Sequence, residues 1–262
     1  MAIAVGAMSQ QVVCHRGHWR AEGSAQNSLR SLVKADSIGA WGSEFDVWMS
    51  ADGVLFVNHD ATINGVEIAR ERSEKISLQR LSNGEPIPTL ESMLDLATGL
   101  KIHLVVELKP HRLPDGTQDI ERERKAVEAI LAMVHDKGLE SRVSYISFSA
   151  FATTLLARTA PAGTPVYYLD GKRQSDGTIG IDHDMTPSHL WLAGVTGVDY
   201  QLKALVNRPE LLDECRDLGM PVNVWTVDKP EGIQWCIDHG LDYITTNEPE
   251  LTMRMIRDKQ LK

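Results

Sequence analysis

No apolar run in the 262 residues reaches the ~20 that a membrane span needs, so stable insertion into a bilayer is not expected. Cysteine is scarce as well. Three thiols, Cys14, Cys215 and Cys236, make no disulfide framework. Cys14 falls in an apolar stretch read as a strand, and the other two fall at apolar positions of predicted helices. All three therefore read as small buried hydrophobes. Positive charge is also in deficit: 27 Lys and Arg face 36 Asp and Glu, for a net charge of −9. A phosphate backbone is bound through a basic footprint, so nucleic acid is excluded as a partner. An anionic substrate would have to be held by local cations. The chain has no Walker phosphate loop, no glycine-rich dinucleotide fingerprint and no HExxH zinc helix. His15 and His18 are three apart, not the two-apart pair that a metal-dependent amidohydrolase places on its first strand.

What is present is a repeated helix–turn–strand unit. SIGAWGSEFDV, DKGLESRVSYISF, DLGMPVNVWTV and DHGLDYITT each carry a helix end with polar last residues, a glycine (Gly39, Gly138, Gly219 or Gly240) and a short apolar strand. Glycine suits the left-handed position at a helix C-terminus. The helices keep a 3.6-residue period: Val127, Ile130, Leu131 and Val134 share one face, as do Ile233, Cys236 and Ile237. Strands alternating with helices imply a parallel sheet. Eight candidate strands lie near 12–15, 43–48, 102–107, 143–148, 165–169, 197–200, 222–227 and 241–245, and eight favour a closed barrel over an open sheet. Asp52-Gly53 signals a hairpin between Val47–Met49 and Val54–Val57. Residues 61–88 are polar, carry Asn64-Gly65 and Asn83-Gly84, and read as a surface insertion with little regular structure, able to cap a site. No linker or low-complexity tract divides the chain, so one domain over 1–262 is expected. MAIAVGAMSQ is too short for a secretion signal and lacks a charged start. The chain reads as cytoplasmic as written, and as periplasmic or secreted if the segment is the stump of a removed signal.

Two short stretches carry the chemistry. In SEFDV and VVELK, strand alternation places Glu44 and Asp46 on one face, and Glu107 and Lys109 on one face. A charge beside apolar runs is costly unless paired or bound to a metal. Exposed ion pairs are the plain alternative. Three carboxylates with an ammonium point instead to a hard divalent cation beside a phosphate. VVCHRG delivers His15 and Arg16 at a strand tip, and VLFVNHD ends in His59 and Asp60. Histidine can give or take a proton near neutrality. Arginine offers a fork that matches phosphate oxygens. All-oxygen ligands favour Mg²⁺ or Ca²⁺ over Zn²⁺. Trp48 continues the alternation of Glu44 and Asp46 toward the site mouth, with a plain core position as the alternative. Trp19 reads as a loop residue packed on the rim.

In order, CHRGH, QNS, SEFDV, ADGVLFVNHD, VVELKP and VNVWTVD resemble the glycerophosphodiester phosphodiesterase family, from about His15 to the C-terminal TTNEP stretch. Each motif is short; the ordered set is specific. The resemblance implies a (β/α)8 TIM barrel with a small insertion after the second strand. It implies metal-dependent hydrolysis of glycerophosphodiesters to glycerol 3-phosphate and an alcohol. It assigns one divalent cation to Glu44, Asp46 and Glu107, acid–base chemistry to His15 and His59, and phosphate contact to Arg16 and Lys109. It also places Trp225 beside the substrate, with a bulky core position as the plain alternative. The expected partner is a small-molecule phosphodiester. The family usually has a glutamate before Asn27; here Gln26 removes that charge. Two other readings are weighed: a phospholipase D-like phosphodiesterase acting on lysolipids, and a non-catalytic phosphate-binding barrel. The first needs an apolar entry surface, for which the polar 61–88 segment gives no support. The second has no need of two histidines.

Overall fold

A computed structural model describes residues 10–261. The N-terminal segment weighed above as a signal stump lies, through residue 9, outside the described residues.

Eight parallel strands close on themselves: Gln11–Cys14, Gly42–Met49, His103–Leu108, Val143–Ser147, Val166–Asp170, Gly197–Gln201, Val222–Trp225 and Tyr243–Thr246. Each pairs with the next in this order, and the last pairs back to the first through Val13↔Thr245 and Cys14↔Thr246. Helices fill the connections, giving a (β/α)8 TIM barrel. The eight strands lie within a few residues of the spans expected from sequence.

Alternation along the strands sorts side chains into two layers. Cys14, Phe45, Val47, Leu104, Val106 and Leu108 face outward into the core under the helices. Val13, Val105, Ile146, Tyr167 and Leu169 fill the barrel interior. Glu44 and Asp46 alternate with Phe45 and Val47, so they share the inward face. All four predicted joint glycines are left-handed: Gly39 at φ 72°, Gly138 at 64°, Gly219 at 67° and Gly240 at 64°. Ser28, Thr89, Asp119, Ser149 and Thr186 cap helix N-termini with side-chain oxygens. Cys14, Cys215 and Cys236 are free and buried.

The second strand turns at Asp52-Gly53, and Leu55–Val57 returns antiparallel along it. The following segment is better ordered than its composition implied. Thr62–Ile63 and Val66–Glu67 form a small hairpin around Asn64-Gly65, followed by a 3-10 turn at Ile68–Arg70 and a helical turn at Ser73–Ile76. Ile63, Val66, Ile68, Ile76 and Ile87 gather with Trp48 and Phe56 into a separate small core. Isolated isoleucines spread through a polar stretch show no periodicity, so this cluster emerges only once the chain has folded over Trp48.

Candidate functional site

The barrel brings three carboxylates together at the C-terminal end of its strands. Asp46 and Glu107 are cross-strand partners, and Glu44 is one alternation below Asp46. One oxygen from each of the three lies within 4.8 Å of the others. All three are buried: Glu44 is 2%, Asp46 1% and Glu107 7% exposed. Glu44 Oε2 accepts the Arg16 backbone N–H at 2.7 Å, while Glu44 Oε1 is buried without a hydrogen-bond partner. Burial pushes the Glu44 carboxyl well up, and the charges of Asp46 and Glu107 add to the effect. Burial and Asp46 push Glu107 up to about 8. Burial also acts to raise Asp46, but Lys109, His59, the Asn27 amide and Arg16 outweigh it and hold the group down at about 2. Such a crowd of anions with an orphaned oxygen is what a hard divalent cation relieves, and the all-oxygen donor set fits one.

Lys109 sits inside this cluster. Its Nζ is 3.0 Å from Asp46 Oδ1, as a hydrogen bond, and 2.7 Å from Glu107 Oε1, an ion-pair contact outside hydrogen-bonding alignment. Burial acts against the ammonium, but Glu107 and Asp46 more than compensate, so its pKa is raised. Lys109→Met should therefore be felt beyond substrate contact. Removing one member of a buried ion cluster typically costs roughly 3–5 kcal/mol. We expect a lower melting temperature in chelator, partial recovery on adding Mg²⁺ or Ca²⁺, and a raised KM, a lowered kcat, or both. Melting curves and steady-state kinetics read the two effects separately. A variant with wild-type behaviour in all of these would remove Lys109 from the site.

The loop after the first strand is shaped by backbone geometry. Arg16 is left-handed at φ 57° and Gly17 follows at φ 77°. A Cβ on Gly17 would lie 2.2 Å from Ser31 Oγ and 2.8 Å from the Ser31 carbonyl carbon, so only glycine fits between the loop and the first helix, Leu29–Ser37. This turn aims the Arg16 N–H at Glu44. It also leaves the Arg16 guanidinium 3.9 Å from Asp46 and donating to Gln26 Oε1 at 2.7 Å. The neutral Gln26 thus anchors the guanidinium without cancelling its charge. Asn27, also left-handed at φ 60°, locks the same loop to Asp46. Its Nδ2 donates to Asp46 Oδ2 at 2.8 Å, and its Oδ1 accepts the Asp46 N–H at 3.1 Å.

His15 and His59 flank the carboxylates. His15 Nδ1 lies 3.0 Å from Asn247 Oδ1. That oxygen also accepts from Trp19 Nε1 at 2.7 Å, while Asn247 Nδ2 donates to Asp228 Oδ2 at 2.8 Å. A carboxylate can only accept, so the amide orientation is fixed, and His15 Nδ1 must carry the proton. Its Nε2 keeps a lone pair. Burial, with Arg16 beside it, lowers the His15 pKa to about 4. His59 donates from Nδ1 to Asp60 Oδ1 at 2.7 Å and is more exposed. Its pKa is lowered too, chiefly by burial, with Asp46 opposing. Trp48 Nε1 donates to the His59 carbonyl at 3.3 Å, fixing that segment from below.

Two open clefts border this centre. One, of about 620 Å³, runs between the Trp19–Gln26 loop and the 58–82 segment. The other, of about 830 Å³, includes Trp225, Leu202, Asp228 and Lys229. Trp225 is held there by donating from Nε1 to the Asp199 carbonyl at 3.0 Å, with Phe148 edge-on to its ring at 5.4 Å. Asn27, Asp228 and Asn247 were not singled out as site residues from sequence. The only available signal was their place in the QNS, TVD and TTNEP stretches. Among the described residues no helix is long and apolar enough to cross a membrane.

Comparison with known proteins converges on one family. The profile of the Glycerophosphoryl diester phosphodiesterase family matches residues 15–251. A solved glycerophosphodiester phosphodiesterase from Parabacteroides distasonis is 41% identical, superposes with a TM-score of 0.87, and covers 97% of this chain and 100% of its own. A glycerophosphodiester phosphodiesterase from Caldanaerobacter subterraneus is 24% identical over 95% of this chain and 99% of its own. A phosphodiesterase from Oleispira antarctica, solved with the product sn-glycerol-3-phosphate, shares the fold at a TM-score of 0.76 and 19% identity, covering 95% of this chain and 96% of its own.

Proposed function

Because this chain belongs to the glycerophosphoryl diester phosphodiesterase family, we propose that its site hydrolyses small glycerophosphodiesters to glycerol 3-phosphate and an alcohol, with a divalent cation. The observation that carries this reading is the pairing of two histidines with free Nε2 positions and one guanidinium around three buried carboxylates. The product complex of the Oleispira relative supports the same product half.

Glu44, Asp46 and Glu107 would hold the cation, Mg²⁺ or Ca²⁺. Once bound, it would offset the carboxylate charge and act as a Lewis acid on the phosphoryl group. The chain's own groups do the rest. Arg16, anchored by neutral Gln26, keeps its charge for the non-bridging phosphate oxygens. Lys109 adds a second cation from within the carboxylate cluster. His15, neutral and with its Nε2 lone pair free, takes the proton of the nucleophile. This is either water or the glycerol hydroxyl adjacent to the ester, which would give a cyclic phosphate first. His59 is better placed to hold a second proton, because it faces a carboxylate where His15 faces a neutral amide. It delivers that proton to the leaving oxygen. Trp225 walls the larger cleft beside the reacting centre, and the 58–88 segment caps the smaller one.

The test is a side-by-side assay of glycerophosphoethanolamine, glycerophosphocholine, glycerophosphoinositol, a lysophospholipid and single-stranded DNA. We expect glycerol 3-phosphate from at least one of the first three. Preference for the lysolipid would move the enzyme to phospholipase D-like chemistry, and cleavage of DNA alone would overturn the substrate class.

A further inference from the structure

The smaller cleft touches both acid–base and phosphate machinery through its walls. Gln26 on one wall anchors Arg16, and Asp60 on the other accepts from His59. These two contacts set the cleft next to the residues that would hold the phosphate and protonate the leaving alcohol. Three charged side chains line it: Arg20, Asp60 and Arg80. Two are already engaged. Arg20 pairs with Glu248, and Asp60 with His59. Among the described residues Arg80 has no ion-pair partner. Its backbone, by contrast, is pinned. Arg80 bridges Pro86, and its carbonyl accepts from Asn64 Nδ2 at 3.1 Å. Asn64 is itself left-handed, at φ 49°, in the tight turn of the small hairpin. The main chain that carries Arg80 is thus ordered before any ligand arrives, so only its side chain need be fixed on binding.

We propose that this cleft is the subsite for the leaving headgroup, and that Arg80 selects headgroups carrying their own anionic group, such as a carboxylate. The inference rests on the reading of the site as a glycerophosphodiester hydrolase. A guanidinium fork meets a carboxylate with two parallel hydrogen bonds, whereas a quaternary ammonium or a bare amine would meet a like charge at Arg80. Of the other wall groups, the Gln26 amide is neutral, and the Asp60 carboxylate is already engaged by His59 Nδ1 at 2.7 Å.

The matched pair glycerophosphoserine and glycerophosphoethanolamine differs by one carboxylate on the headgroup and releases the same glycerol 3-phosphate. With the metal-loaded enzyme, kcat/KM should favour the serine diester by about tenfold or more. Arg80→Ala should bring the ratio of the two toward one. The ratio is read within a single enzyme preparation, so any loss of folded protein cancels. A wild-type ratio near one, or a serine preference that survives in Arg80→Ala, overturns the assignment while leaving the hydrolase reading intact. No product from either diester overturns both.

Discussion

Chelator should abolish turnover, and Mg²⁺ or Ca²⁺ should restore it; Glu44→Gln should weaken metal binding and lower activity with it. The expectation follows from the charge balance of a small volume. Three carboxylates, each at least nine-tenths buried, share it with one ammonium. Glu44→Gln removes a charged ligand and the group whose Oε1 has no hydrogen-bond partner. The same balance predicts a stability effect that needs no substrate. Without cation, the carboxyls of Glu44 and Glu107 are raised by burial and by neighbouring charge, Glu107 to about 8. From about pH 7, above the ordinary histidine value, up to about 8, the folded state then binds more protons than the unfolded one. Stability must fall as pH rises through that window. Asp46, held down at about 2, and the buried His15, His103 and His111, each lowered to about 4 chiefly by burial, work in the opposite sense, but below that window. In chelator, the melting temperature should drop between about pH 7 and about pH 8, and saturating Mg²⁺ or Ca²⁺ should flatten the profile there. Full activity in excess chelator, or melting curves indifferent to pH and cation alike, would sink the metal assignment.

The barrel was legible because its signals are local. A glycine after a polar helix end and a five-residue apolar run repeat along the chain, and each is complete within about a dozen residues. The inward placement of Glu44 and Asp46 was legible for the same reason, since strand alternation needs only the strand. What stayed hidden depends on closure. His15 meets Asn247 across 232 residues because the last strand pairs with the first, and nothing near either residue announces the other. Trp19, expected merely to pack on the rim, donates to the very oxygen that orients His15. Lys109 was read as facing phosphate; its ammonium lies between Asp46 and Glu107, where its charge first serves the carboxylates. Glu123 carries no signal of its role in the sequence. It is fully buried and accepts from the His111 N–H, Gln118 and Ser149, tying the loop after the third strand to the start of another helix. Its partners come from three segments, so no period or motif could reveal it.

His15→Ala and His59→Ala should each lower kcat by ~10²–10⁴-fold, the usual worth of a positioned acid or base. Both variants should fold, because each histidine stands at the end of a strand on the barrel mouth and neither belongs to the apolar cores. Asn247 keeps its bonds to Trp19 and Asp228 when His15 is removed. The double variant should lose less than the product of the single effects, since one proton in and one proton out belong to the same reaction. The two roles separate with a substrate whose leaving group departs without a proton, such as a nitrophenyl phosphodiester of glycerol. If His59 is the acid, its alanine variant should recover most of its loss on that substrate, while His15→Ala should recover little, because the nucleophile still needs a base. The opposite pattern would exchange the assignments. Wild-type rates on the natural diester in either single variant would remove that residue from the mechanism.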